Sequence, residues 1–198
     1  MNDLFAVLHR TDHDATITLR RSYRTTPADL WTALTNPDRL ARWLAPVSGE
    51  LTQGGSYRIA FDADDPDQQV AGSIEECQPG QRLRVTWQAL GDPVTVVTAT
   101  ISEVPDGAEL LLVHEGLEHV SDTGHAAGWQ IQLLQLEAEL AGEPVADLWD
   151  QWPALQQAYE AQVSVAEVSG AQVSGAQVSE TKVSETKVSG TSAPPARG

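Results

Sequence analysis

The chain has 198 residues, a formal net charge of −16 and one cysteine, a length that allows one domain with its own core and little beyond a tail. Residues 1–160 contain nine Arg, no Lys and 25 Asp plus Glu, so their charge disfavours nucleic acid and anionic membranes as partners. The chain has no apolar run of about 18 residues, no signal-peptide pattern and no second cysteine, which together predict a cytoplasmic protein.

Two short helices are predicted after a first strand, "ATITLRRSY", in which apolar residues alternate. In "TTPADLWTAL", Thr26 fits the N-cap position and Pro27 the first helical position. The pattern recurs in "NPDRLARWLAP", where Asn36 caps the helix, Pro37 begins it and Pro46 ends it. Each helix is therefore marked by its own local residues.

Three hairpins are predicted next, because turn residues separate runs of alternating apolar residues. The turns fall at Gly54 and Gly55, at Pro79 and Gly80, and at 105–107. Consecutive hairpins imply an antiparallel sheet, and the one long helix that follows must then lie across a face of that sheet.

The long helix, "GWQIQLLQLEAELAG", carries apolar side chains on two sides, whereas a surface helix needs only one apolar side. We expect one side to face the sheet and a helical segment, residues 145–160, to cover the other. A dimer contact through the second side is the alternative, so the chain is expected to be a monomer or a homodimer. The sheet-facing residues are Trp129, Leu133, Leu136 and Leu140. The outer residues are Ile131, Leu134 and Ala138, and their expected cover is Leu148, Trp149, Trp152, Leu155 and Tyr159.

The domain is expected to span residues 14–160, between an N-terminal segment, 1–13, and a tail, 161–198. In the tail Val-Ser recurs every five residues, a period that holds valine on one face of neither a helix nor a strand. One valine per repeat buries too little surface to offset the entropy of ordering the chain. The tail is therefore predicted to be disordered.

Several motifs occur in a fixed order over roughly residues 14–160. They are the two proline-capped helices with Trp31 and Trp43, the "GGSYR" strand, the "PGQRLRVTW" hairpin, "HEGL", and the "GW" that begins the long helix. This set resembles the SRPBCC or START-like superfamily, specifically the activator of heat-shock protein 90 ATPase homologue group. The resemblance implies an α+β helix-grip fold. In that fold a curved antiparallel sheet wraps around a long C-terminal helix, two short helices follow the first strand, and a cavity lies between helix and sheet.

The superfamily includes lipid carriers, hormone receptors, aromatic polyketide cyclases and many small bacterial proteins, so the fold leaves the activity open. We expect a protein that binds an apolar or amphipathic small molecule, because the chain lacks a nucleophile motif, a metal-binding pattern and a cofactor loop. A cyclase- or dehydratase-type enzyme is one alternative, and a chaperone cofactor or protein-interaction module is the other. No catalytic residue, metal or cofactor is assigned.

Candidate ligand-binding residues are the large apolar side chains and the few polar ones expected near the cavity. They are Trp43, Tyr57, Trp87, His114, Trp129 and Leu133. For His114 the favoured interpretation is a histidine hydrogen-bonded at the rim of the sheet, and the alternative is a cavity-wall residue that orients a ligand or acts as a base. His114 begins "HEGLEH", in which the second histidine is five residues away instead of four, so a zinc-protease motif is not expected.

Overall fold

The computed structural model describes residues 5–62, 64–65, 69–89 and 91–164. Internal contacts divide the chain into a unit of residues 1–159 and a second unit of residues 160–198. Of the second unit the structure describes residues 160–164, which are helical. The rest of the predicted tail lies outside the described residues, so its disorder stays a prediction.

The first unit is built on one antiparallel sheet of eight strands in the described residues. In chain order the strands are β1 Val7–Arg10, β2 Ala15–Tyr23, β3 Val47–Gly49, β4 Ser56–Ala60, β5 Gln69–Gln78, β6 Arg82–Ala89, β7 Thr95–Val104 and β8 Gly107–Leu117. Their order across the sheet is β1-β2-β8-β7-β6-β5-β4-β3. The pairings of β3 with β4, β5 with β6 and β7 with β8 confirm the three predicted hairpins.

Helices pack on this sheet in the arrangement expected of a helix-grip fold. They are α1 Pro27–Thr35, α2 Pro37–Trp43, α3 Asp122–Ala141 and α4 at residues 152–164, with a 3-10 turn at Trp149–Gln151 before α4. Helix α3 contacts β2, and α1 contacts β7 and β8. The predicted α+β helix-grip fold is thereby confirmed. Among the described helices, none has the length and hydropathy that crossing a bilayer requires.

The short helices begin where their capping residues predict. The Thr26 hydroxyl accepts a hydrogen bond from the Asp29 amide at 3.2 Å. The Asn36 side chain accepts from two amides, those of Asp38 at 2.9 Å and Arg39 at 3.1 Å. Each cap satisfies amide groups that have no partner within the first helical turn, which fixes the residue at which the helix starts.

An ion-pair network fastens both short helices to α3. The Arg39 guanidinium donates to Asp29 of α1 at 2.7 Å and to Glu139 of α3 at 2.6 Å. The Glu139 side chain is almost fully buried, so its charge depends on this partner, because an unpaired buried carboxylate is strongly destabilising. The network therefore holds α1 and α2 against α3.

The C-terminal segment covers part of the outer side of α3, as expected. Trp152 donates from Nε1 to the carbonyl of Gly124 at 3.1 Å, and the Tyr159 hydroxyl donates to the side-chain oxygen of Gln130. These contacts lie nearer to the start of α3 than the predicted ones at Ile131, Leu134 and Ala138. Two glycines at the start of α3 explain the shift, because their missing side chains leave room for tryptophan rings.

The sequence analysis missed one strand and extended one helix too far. Strand β1 lies within the segment 1–13, which was expected to precede the fold, and pairs with β2 along Val7–Arg10. Of the expected helical segment 145–160, residues 145–148 have no regular structure. Regular structure begins at Trp149, and Pro153 falls in the first turn of α4, where proline costs no hydrogen bond.

Candidate functional site

A cavity of about 360 Å³ lies between the short helices, the strands β4 to β8 and the first half of α3. We call it the inner cavity. Its wall includes Trp31, Leu34, Leu40, Trp43, Leu44, Tyr57, Ile59, Cys77, Leu83, Val85, Trp87, Val97, Ala99, Leu112 and Trp129. Among the described residues that line it there is no Asp, Glu, Lys, Arg or His. The wall is therefore apolar and uncharged.

The polar atoms of three large wall residues are already paired with other protein groups. Trp43 donates from Nε1 to the carbonyl of Ala33 at 3.0 Å, and the Tyr57 hydroxyl donates to the carbonyl of Thr86 at 2.7 Å. Trp129 donates from Nε1 to His114 at 3.0 Å. Burial raises the pKa of the Tyr57 hydroxyl above its ordinary value, so the group stays protonated and keeps donating at neutral pH.

His114 lies behind the cavity wall and is fully buried on β8. An indole nitrogen only donates, so the bond from Trp129 shows that Nδ1 of His114 is the unprotonated ring atom. The hydroxyl of Thr95 donates to the carbonyl of Trp87 at 2.9 Å and accepts from His114 Nε2 at 2.7 Å. One directed chain of hydrogen bonds thus runs from Trp129 through His114 and Thr95 to the backbone of Trp87.

Its surroundings hold His114 in the neutral form. Burial, and secondly the nearby charge of His125, lower the pKa of His114 from 6.5 to about 3. The imidazole also contacts three aromatic rings, those of Trp87, His125 and Trp129. His114 therefore orients Trp129, because both of its ring nitrogens already have protein partners and neither is left for a ligand.

The structure brings four of the six candidate residues together on the cavity wall. These are Trp43, Tyr57, Trp87 and Trp129. The other two, His114 and Leu133, do not line the cavity. His114 is bonded as described, and Leu133 is buried, with its backbone carbonyl accepting from the Tyr23 hydroxyl at 3.3 Å. The hydrogen bonding expected of His114 is present, but the residue is fully buried on an inner strand and not at the rim of the sheet.

Sequence reasoning missed Trp31 and Thr95. Trp31 lines the inner cavity from α1, and its helical spacing alone does not distinguish a core residue from a cavity-wall residue. Thr95 is 19 residues from His114 and has no motif around it. Only the pairing of β7 with β8 places it beside the histidine.

Residues 24–141 match the family model described as activator of Hsp90 ATPase homolog 1-like protein. The match covers more than half of the chain and includes both short helices, the six strands from β3 to β8 and all of α3. The chain belongs to this family. No curated protein sequence matches it.

Solved structures of the same fold support the assignment to this family. CalU16 from Micromonospora echinospora is 26% identical, with a TM-score of 0.67 over 79% of this chain and 95% of CalU16. Protein CV1439 from Chromobacterium violaceum is 30% identical, with a TM-score of 0.56 over 63% of this chain and 96% of CV1439. MLL2253 from Mesorhizobium loti is 26% identical, with a TM-score of 0.59 over 67% of this chain and 99% of MLL2253.

Proposed function

We propose that this family member binds an apolar or amphipathic small molecule in the inner cavity and does not transform it. The observation that carries the proposal is an apolar cavity of about 360 Å³ whose described lining has no charged side chain. Its volume falls within the range of roughly 300–1,000 Å³ that is usual for small-molecule sites. In this proposal Trp43, Tyr57, Trp87 and Trp129 contact the ligand, while His114 and Leu133 support the wall from behind.

The bonding of the two acid–base candidates favours binding over a cyclase or dehydratase activity. A general base needs a lone pair within reach of the substrate. The unprotonated ring nitrogen of His114, Nδ1, already accepts a hydrogen bond from Trp129, and the ring lies outside the cavity lining. Tyr57 directs its proton to the carbonyl of Thr86, and burial raises its pKa. A cytoplasmic location, expected from the composition, is part of the same proposal.

Filling the inner cavity tests the proposal. Val85 lines the cavity from β6, whereas Val94 is exposed in the loop before β7 and lines no part of it. The probe is N-phenyl-1-naphthylamine, an uncharged molecule whose fluorescence rises in apolar surroundings. We expect the protein to bind it saturably, Val85→Phe to weaken binding by about tenfold or more, and the matched control Val94→Phe to leave it unchanged.

Circular dichroism of each variant checks that the fold is intact, since overpacking a core costs stability. Equal affinity for the probe in the protein and in a folded Val85→Phe variant would contradict the proposal. Native mass spectrometry of the protein purified from its own host then identifies the class of the natural ligand, as a retained mass that Val85→Phe reduces.

A further inference from the structure

A second cavity, of about 390 Å³, opens where the first turns of α3 meet the C-terminal segment. We call it the C-terminal cavity. Leu44, Trp87 and Trp129 line both cavities, and the ring centres of the two tryptophans are 5.2 Å apart. Val70 and Ala89 form the sheet side of the C-terminal cavity.

The outer wall of this cavity is made by residues that follow the family match. Trp149, Trp152 and Gln156 line it, and the match ends at residue 141. Trp152 and Trp149 lie over Gly124 and Gly128, where a Cβ atom would approach their rings to 3.2 Å and 3.8 Å. The two glycines are one helical turn apart, so they form a flat strip of α3 beneath two indole rings. The outer wall of the C-terminal cavity therefore lies outside the residues that match the family model.

Gln132 has an unused hydrogen-bonding side chain in this wall. It is only 3% exposed and lines the cavity, and neither its Oε1 nor its Nε2 has a partner among the described residues. Two other buried glutamines of α3 are bonded: Gln130 accepts from Tyr159, and Gln135 donates to the carbonyl of Ala146. Buried polar groups without partners are rare in native proteins. The Gln132 amide is thus the feature of this helix that calls for a partner from outside the chain.

The mouth of the cavity is unusually apolar for a protein surface. Phe61, Val120 and Trp149 are exposed large apolar residues, and all three line this cavity. Single exposed apolar residues are ordinary, but a group of them around one opening is typical of a ligand-binding surface. Aromatic rings on both sides of the opening fit a flat ligand that stacks between them.

The described lining residues offer no charged partner to an ionic ligand, because none of them is an Asp, Glu, Lys or Arg. His125 is the one titratable side chain among the described lining residues. Its Nδ1 donates to the carbonyl of Ser121 at 2.8 Å. In the part of the chain that the structure describes, no lysine or arginine lines the cavity to pair with an anion. Residues 1–160 carry the whole net charge of −16, which repels anions further.

We infer that the C-terminal cavity is a second ligand site, which binds a planar, uncharged aromatic molecule whose edge carries an N–H donor beside a C=O acceptor. A lactam or aromatic carboxamide has this edge. Gln132 offers a carbonyl acceptor and an amide donor side by side. Both atoms are closed to solvent in this structure, so the side chain turns towards the cavity when the ligand enters, and the two edges then pair through two parallel hydrogen bonds. The aromatic body lies among the rings of Trp129, Trp149 and Trp152. The two sites share Trp87 and Trp129, but this site is inferred from the residues that line it and not from what the inner cavity binds.

A matched pair of probes tests the site by isothermal titration calorimetry. Quinolin-2(1H)-one has the lactam edge, and naphthalene has a similar bicyclic outline without it. We expect the full-length protein to bind the lactam about tenfold or more tightly than naphthalene, since a site with a buried polar group discriminates against a ligand that cannot pair with it. Gln132→Leu should remove this preference and retain naphthalene binding, and Trp149→Ala should weaken the binding of both probes.

Variants of the inner cavity separate this inference from the proposed function. Val85→Phe should leave the lactam affinity unchanged, and Gln132→Leu should leave the affinity for N-phenyl-1-naphthylamine unchanged. Gln132→Leu replaces an unpaired amide by an apolar group, so it should fold at least as stably as the parent, which thermal unfolding checks. Absence of lactam binding by the protein, or an equal lactam affinity in Gln132→Leu, overturns the inference, even if the inner cavity binds its probe as expected.

Discussion

His114 occupies a position where every polar atom of its side chain faces another protein group. Strand alternation predicts that His114 shares a face of β8 with Leu110 and Leu112, because it depends only on neighbours along the chain. Only the structure shows that this face is the buried one, since all three residues are buried. Which atoms bond the ring depends on Thr95 and Trp129, which come from another strand and from α3. No local pattern could therefore decide whether His114 lines the cavity or is buried with both ring nitrogens bonded to other protein groups.

The depressed pKa of His114 predicts a loss of stability in mild acid. The folded protein keeps the ring neutral to about pH 3, whereas the ordinary value is 6.5. Between these values the unfolded chain binds a proton that the folded chain does not. Stability is therefore full above about pH 6.5 and falls as the pH falls, by up to about 1.4 kcal/mol per pH unit for this one group.

Urea unfolding between about pH 6.5 and pH 5 measures this slope, in a range where most carboxylates remain ionised. We expect His114→Gln to flatten the slope. The control His13→Gln changes an exposed histidine and should keep it. The same slope in the parent and in His114→Gln would show that another group is responsible.

One feature of helix α3, its need for a cover on two sides, can be predicted from the sequence, whereas the position of the outer cover cannot. Its two apolar sides predicted that something must cover each, and nearly every described position along the helix is buried or half-buried. The partners of the outer side were predicted from spacing alone. The cover instead docks at Gly124 and Gly128, because indole rings pack where side chains are missing. Glycine inside a helix usually lowers the stability of that helix. The role of these two glycines as a docking surface can therefore be recognised only from the positions of Trp152 and Trp149 in the structure.

Alanine substitutions at the two glycines should separate the effect of helix propensity on stability from the effect of packing. A Cβ on Gly128 would lie 3.8 Å from Trp149, an ordinary contact, whereas one on Gly124 would lie 3.2 Å from Trp152. We expect Gly128→Ala to raise the free energy of unfolding by about 0.5–1 kcal/mol, because alanine is the better helix former. Gly124→Ala should bring no gain, since Trp152 must move. Chemical denaturation measures both variants, and a clear stabilisation by Gly124→Ala would show that Trp152 adapts freely.

The whole first unit is completed by residues from both of its ends. Tyr159 is fully buried, its hydroxyl donates to Gln130 of α3, and it accepts from the backbone of Ala6 at 2.8 Å. The N-terminal segment and the C-terminal helix thus meet over α3, outside the span of the family match. The sequence predicted the helical cover but missed the N-terminal strand β1. That strand is short and at the edge of the sheet, so its stability comes from pairing with β2 and not from a strong alternation of its own.

Two changes test how the ends of the chain contribute to stability. Tyr159→Ala should lower the free energy of unfolding by about 3–5 kcal/mol, as removal of a buried aromatic side chain does.

A chain that ends at Ser164 lacks most of the repeats, which are predicted from their sequence to bury little surface. We therefore expect it to unfold at the same temperature as the full chain. Calorimetry of both, compared with the full chain, checks these expectations. A marked drop in the unfolding temperature on removing residues 165–198 would refute the sequence argument.

The helix caps, the three hairpins and the α+β helix-grip fold could be predicted from the sequence alone, and four of the six candidate ligand-binding residues line the inner cavity. These features rest on neighbouring residues, on periodicity or on an ordered set of motifs, all of which are present along the chain. Contacts in three dimensions determine which nitrogen of His114 is protonated and where the C-terminal segment docks, and they leave Gln132 without a hydrogen-bond partner among the described residues. Each of these depends on contacts between side chains that are distant in sequence. Such contacts are settled by packing in three dimensions, and no periodicity along the chain encodes them.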